Sequence, residues 1–270
     1  MAYIIEKITE QYSRIWESRD NRLHHLPFIS SPIPMIILVS IYLFIIRNGK
    51  KFMEHRKPLK IKRLIIVYNI LQIIANSTLF LVVTYYIFFA DTNFSFRCEL
   101  SNYSTDDVGM FGAYMSYSYF ILKLADYLDT IFFILRKKSD HVSFLHVYHH
   151  VAVSVAAYIC VLFATGGQGI LLGYLNTLVH AVMYTYYLLT IWKPEIKSSK
   201  TTKKNITRMQ MIQFTILVVH FGHSFVIPGD DCDYPKFLSF MGVTQNIFMI
   251  ILFSDFYWRA YGKKSIQKTE

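Results

Sequence analysis

Residues 142–163 read VSFLHVYHHVAVSVAAYICVLF. The stretch holds no Lys, Arg, Asp or Glu and is long enough, as helix, to cross a hydrocarbon core of about 30 Å. It nevertheless carries His146, His149 and His150. Spacings of three and four residues put all three imidazoles on one helical face. Imidazole ligates metals, shuttles protons or acts as a nucleophile. A lone histidine here would read as a satisfied core residue. Three on one face of an apolar span read as function, because ionisable groups are costly inside a bilayer.

Six further apolar runs surround this one, near residues 30–46, 64–89, 112–135, 169–191, 209–227 and 237–258. With 53% hydrophobic and 17% aromatic residues, the chain holds more apolar surface than one soluble core of its size needs. The expected fold is an all-α integral membrane protein with seven transmembrane helices. Gly166, Gly167 and Gly169 at the start of the fifth run predict a tight turn or a re-entrant entry. No internal repeat or low-complexity tract divides the chain, so one membrane domain over 1–270 is the simplest parse. The first thirty residues lack the apolar core and small-residue cleavage site of a signal peptide, so the first run is expected to stay as an anchor.

The net charge of +10 does not point to nucleic acid, because it is segregated by loop. Residues 47–63 carry eight basic side chains against Glu54, and the segments 136–141, 193–208 and 259–270 are also basic. Residues 1–30 and 164–168 balance, while 90–111 and 228–236 are net acidic. Alternation of this kind is the positive-inside pattern: residues 1–29 lie on the non-cytoplasmic side and 259–270 form a cytoplasmic tail. Asn93 and Asn102 open glycosylation sequons in a loop assigned to the non-cytoplasmic side. Cys98 and Cys232 fall in two loops of that same side, whereas Cys160 lies inside a span. A Cys98–Cys232 disulfide is therefore expected.

Other spans carry polar stripes. KLADYLDT at 123–130 places Lys123, Asp126, Asp129 and Thr130 three and four residues apart. A charge at mid-span costs about 2.5–3.5 kcal/mol, so this face should turn inward with Lys123 paired to Asp126. The pair is either purely structural, or its carboxylates orient a histidine. In NTLVHAVMYTYY at 176–187, Asn176, His180, Tyr184 and Tyr187 share one stripe. Thr207, Gln210 and Gln213 share another, placed to bind a substrate or to join helices. His220 and His223 read as structural. Four adjoining polar stripes with apolar faces elsewhere suggest a bundle around a polar pocket with an apolar extension, suited to a long acyl chain with a reactive head.

Taken in order, NGKKFMEHRKPLKIKRLIIVYNILQ (48–72), KLADYLDTIFFILRKK (123–138), HVYHH (146–150), NTLVHAVMYTYY (176–187) and TRMQMIQF (207–214) resemble the ELO family of very-long-chain fatty-acid elongases, the 3-oxoacyl-CoA synthases of the endoplasmic reticulum. Asp126 stands where the family pattern has Glu. The resemblance implies a multi-pass endoplasmic reticulum protein with a lumenal N-terminus, a cytoplasmic C-terminus and seven helices enclosing an acyl-CoA tunnel. It implies condensation of a long-chain acyl-CoA with malonyl-CoA, releasing CoA and CO2, with no cofactor and no metal. By position His149 would take the acyl group, though the motif does not choose among the three imidazoles. His146, His150, His180 and Asn176 are the candidate oxyanion donors. The basic residues Lys137, Lys138, Lys203, Lys204 and Arg208 would hold CoA phosphates at the mouth, or serve topology and anionic lipid. Beyond its two CoA substrates, the partners expected are membrane lipid, a second copy of the chain and the enzymes of later elongation steps. A di-iron desaturase or hydroxylase also uses HxxHH, but needs further histidine boxes that this chain lacks. A seven-span receptor or transporter would leave three co-facial histidines without a use.

Overall fold

Ten α-helices follow one another in the computed structural model, which describes residues 2–90, 94–228 and 232–262. They are α1 (Ala2–Glu17), α2 (Ile33–Met53), α3 (Lys62–Phe88), α4 (Asp107–Ala125), α5 (Tyr127–Leu135), α6 (Phe144–Phe163), α7 (Gly169–Trp192), α8 (Pro194–Ser198), α9 (Lys200–Val226) and α10 (Lys236–Tyr257). Among the described residues there is no strand. Asn93 and residues 263–270, which include most of the expected tail, lie outside the described residues.

The starts of three helices are written in the sequence. Ser143 accepts a hydrogen bond from the His146 N–H at 3.3 Å, Asp106 from Gly109 at 2.7 Å and Ser199 from Thr202 at 3.2 Å. Each such cap is worth about 1 kcal/mol. The run at 112–135 is not one continuous helix. It breaks at Asp126, where the Asp129 N–H reaches back three residues to the Asp126 carbonyl and overtightens the chain. The glycine-rich entry to α7 is a tight turn. Gly166 sits at φ +68°, and a Cβ on Gly112 would come within 3.2 Å of its Cα, so α4 and the turn meet backbone to backbone.

Among the described residues, five helices are long and apolar enough to cross a membrane: Ile33–Met53, Lys62–Phe88, Phe144–Phe163, Lys200–Val226 and the continuous stretch Lys236–Gly262. Ile36, Phe44, Leu71, Leu81, Val219 and Ile251 stand exposed on their outer faces. The most buried side chains include Asn76, Lys123, Asp126, Thr130 and Ser154. An apolar outer face around a bundle that buries a cluster of polar and charged side chains is the arrangement lipid favours. Helix α3 packs along α7, α9 along α10, α4 against α6 and α2 against α5.

The loops gather at two ends. At one, the Asp20 N–H bonds to the Leu162 carbonyl, Arg22 reaches Ser104 and Thr165, Tyr103 donates to the Phe163 carbonyl, and Cys98 is joined to Cys232 by a disulfide. His220 pins this end, its two ring nitrogens 3.1 Å from the carbonyls of Phe96 and Gln168. At the other end, Lys137 donates to the Glu54 carbonyl and the Leu59 N–H to that of Leu135. The basic loops collect there.

Candidate active site

Lys123 on α4 is fully buried, with its ammonium 2.7 Å from Asp126 Oδ2 and 2.9 Å from Asn176 Oδ1 on α7. Gln72 on α3 donates to Asp126 Oδ1 at 2.9 Å, and the Tyr184 hydroxyl lies 3.0 Å from that oxygen and 2.7 Å from Asp129 Oδ2. A buried ion pair holds only if its remaining polar valences are met, and here side chains of α3 and α7 supply the partners. An ammonium can only donate, so the Asn176 amide must present its oxygen to Lys123 and Tyr119 and its NH2 elsewhere. His180 Nδ1 stands 3.4 Å from both Lys123 Nζ and Asp126 Oδ2. The Lys-Asp network therefore fixes the orientation of both Asn176 and His180.

One turn of α6 supplies the histidines. His146 Nε2 is bonded at 2.8 Å to Thr130 Oγ1 on α5, which is itself bonded at 2.8 Å to the Tyr42 hydroxyl on α2. The His146 and His150 rings lie 4.2 Å apart, and the His149 and His150 rings 5.8 Å apart. His150 Nδ1 is buried with no hydrogen-bond partner among the described residues.

These side chains border a series of cavities. One of about 470 Å³, with mixed polar and apolar walls, is lined by His146, His149, His150 and His180, with Gln210 and Tyr187. Beside it, sharing Asp129, Tyr187 and Lys203, lies one of about 410 Å³ bordered by Lys62, Arg136, Lys138, Lys197 and Lys203. Burial, together with Arg136 and Lys197, pulls the Lys138 ammonium below its ordinary range; burial and Lys138 do the same to His141. In the opposite direction a narrow, mainly apolar space of about 60 Å³ passes His149, Asn176, Gln213 and Asn246. It shares Ala156 and Leu172 with another of about 50 Å³ that ends among Cys160, Ala164 and Gly169. Among the described residues, His149 alone lines both the polar mouth and the first apolar space.

The profile of the GNS1/SUR4 (ELO) family matches residues 27–269. The chain belongs to the ELO family. It is 33% identical over 271 residues to very long chain fatty acid elongase 4 of Mus musculus, covering 100% of this chain and 85% of that protein. Against very long chain fatty acid elongase 7 of Rattus norvegicus identity is 35% over 256 residues, with 93% and 89% covered. Against elongase 7 of Drosophila melanogaster it is 37% over 246 residues, with 91% and 74% covered.

Within this ELO protein the singled-out residues divide in three. His146, His149, His150, His180, Asn176, Tyr187, Gln210 and Gln213 line the cavities, as do Asp129, Lys138 and Lys203. Lys123, Asp126 and Tyr184 sit one layer behind, bonded to residues that line them. Lys137, Lys204 and Arg208 go elsewhere: Lys137 ties down the Glu54 carbonyl, and Lys204 and Arg208 hold Tyr257. Asn102 directs its amide oxygen to the Ser104 N–H at 2.8 Å, which fixes its own loop. Sequence reasoning missed Tyr42, Gln72, Lys62, Arg136 and Lys197. Gln72 had a signal, since Asn69, Gln72 and Asn76 recur at three and four residues inside an apolar run, and all three are buried. Among the described residues no three His, Cys, Asp or Glu side chains are grouped to hold a metal ion.

Proposed function

We propose that this enzyme of fatty-acid elongation is a 3-oxoacyl-CoA synthase that carries the acyl group on His149. The carrying observation is the position of His149 between a polar mouth and a narrow apolar space. An acyl-CoA entering from the mouth would run its chain inward past Ala156 and Leu172 and bring its thioester to this imidazole. The ring nitrogen attacks the thioester carbon, the C–S bond breaks, and CoA leaves as a thiolate that takes up a proton. Malonyl-CoA then occupies the mouth. Loss of its carboxyl as CO2 leaves an enolate, whose carbon attacks the acyl carbon; the bond to nitrogen breaks, releasing the 3-oxoacyl-CoA and free His149. Negative charge on oxygen develops in both steps. The Asn176 NH2, turned away from Lys123, and the His180 and His146 rings are the donors for it. Lys62, Arg136, Lys138, Lys197 and Lys203 suit the CoA phosphates.

The topology reading that goes with this is one membrane domain of seven spans, with α4 and α5 together counting as one and α7 as another. It places the disulfide end in the lumen of the endoplasmic reticulum and the basic end in the cytoplasm. Its support is the charge alternation and the gathering of basic loops at the end where the polar mouth opens.

Microsomes containing the protein, incubated with long-chain acyl-CoA and radiolabelled malonyl-CoA, are expected to form labelled 3-oxoacyl product, and His149→Ala to abolish it. Undiminished product from His149→Ala would remove that residue from the chemistry.

A further inference from the structure

Helix α1 (Ala2–Glu17) takes no part in the site, and its two faces differ sharply. At 100° per residue, Ile4, Ile5, Ile8, Tyr12, Ile15 and Trp16 fall within one third of the circumference. Glu6, Lys7, Glu10, Arg14 and Glu17 occupy the opposite side, where Arg14 pairs with Glu10 at 2.6 Å. Ile4, Ile5, Ile8, Tyr12 and Ile15 are all more than half exposed. An isolated helix of this length is marginal in water, so this face needs a partner.

Three observations say which partner. Trp16, at the edge of the apolar arc, packs against the main apolar cluster of the bundle and stacks on Tyr12, with the Arg19 guanidinium 4.4 Å over its ring. Directly after it, the Asp20 N–H bonds to the Leu162 carbonyl at the end of α6. The helix is thereby anchored at the level where a spanning helix ends, and an indole beside a guanidinium is the pairing expected at a membrane surface. Near this end the Tyr158 hydroxyl on α6 donates to the Ser31 carbonyl just before α2, whose first turns expose Ile33, Ile36 and Ile37. The helix also carries three acids against Lys7 and Arg14, so attraction to anionic headgroups does not hold it; apolar burial does.

We propose that α1 lies in the membrane–water boundary with its Ile4, Ile8 and Ile15 face in the acyl-chain region of the lipid, a collar that ties the disulfide end of the bundle to the bilayer surface. The test uses the full chain with Cys160→Ser, so that a single introduced cysteine takes a nitroxide label. Labels go on Ile4→Cys, Ile8→Cys and Ile15→Cys, and on Lys7→Cys, Glu10→Cys and Arg14→Cys, in phosphatidylcholine proteoliposomes. The ratio of collision with oxygen, which concentrates in lipid, to collision with a water-soluble nickel chelate is expected to be several-fold higher at the first three sites. Equal ratios at all six sites would mean a helix standing in water and would overturn the proposal. Low collision with both reagents at the isoleucine positions would mean that protein, such as a second copy of the chain, covers the face, and would overturn it equally.

Discussion

His146 reaches the cavity already held by Thr130 and, through Thr130, by Tyr42. Replacing Thr130 with the near-isosteric Val removes the bond and leaves the volume. One positioning hydrogen bond of about 1.4 kcal/mol corresponds to roughly a tenfold fall in kcat. KM should hold, and the unfolding temperature should fall modestly because the buried Tyr42 hydroxyl loses its partner; an unchanged kcat in the folded variant would show that His146 needs no such orientation. Glu99 offers a different experiment. Burial pushes its carboxyl up to about 7 against an ordinary 4.5, despite the hydrogen bond from the Ser95 N–H. The folded protein thus binds this proton more tightly than the unfolded chain does. The stabilisation is full below pH 4.5 and is lost as pH rises through 7. Glu99→Gln should flatten the dependence of the unfolding temperature on pH in that window, and an identical slope in the variant would contradict this. The histidines were legible in the sequence because local spacing defines a helical face. Tyr42 was not, because it meets Thr130 across 88 residues of chain, and nothing local marks it among the tyrosines.

Among elements, α4, α5 and α7 are joined by the buried Lys123–Asp126 pair. Removing one partner strands the other charge, at a cost of about 3–5 kcal/mol. Lys123→Met is therefore expected to lower the unfolding temperature and the yield of folded protein markedly. Wild-type stability would contradict the charge network. The junction of α6 and α7 closes the inner end of the apolar space, where a Cβ on Gly169 would already lie 3.2 Å from Cys160 Sγ. Gly169→Leu should fill that end and shift products to shorter chains while short substrates still react; an unchanged product profile would place the acyl chain elsewhere. The polar stripes on these helices were readable as periodicity. The break at Asp126 was not, because an apolar run continues through it without Gly or Pro. Nor was the separation of Lys138 and Lys203 from Lys137, Lys204 and Arg208, since basic residues close together in sequence differ only in where the fold points them.

At the scale of the molecule, charge asymmetry and hydropathy predicted a helical membrane protein and the pairing of its cysteines across loops. They did not foresee α1, because hydropathy averaged along the chain cancels between its two faces. The Cys98–Cys232 bond closes a sequence separation of 134 residues. Losing a native disulfide costs about 2–5 kcal/mol in small secreted domains, and a comparable loss is expected here. Cys98→Ser should unfold at lower temperature than the parent chain, and reduction should bring the parent down to match. Equal midpoints for oxidised and reduced parent would contradict a stabilising bridge. The proposal that basic mouth, histidine face and apolar end together load an acyl group on His149 is open to direct test. The direct measurement is peptide mass spectrometry after incubating the purified protein with acyl-CoA and no malonyl-CoA. An acyl adduct on His149 that disappears when malonyl-CoA is added is the expected result; an adduct confined to another residue, or elongation without any adduct, would contradict acyl transfer through this imidazole.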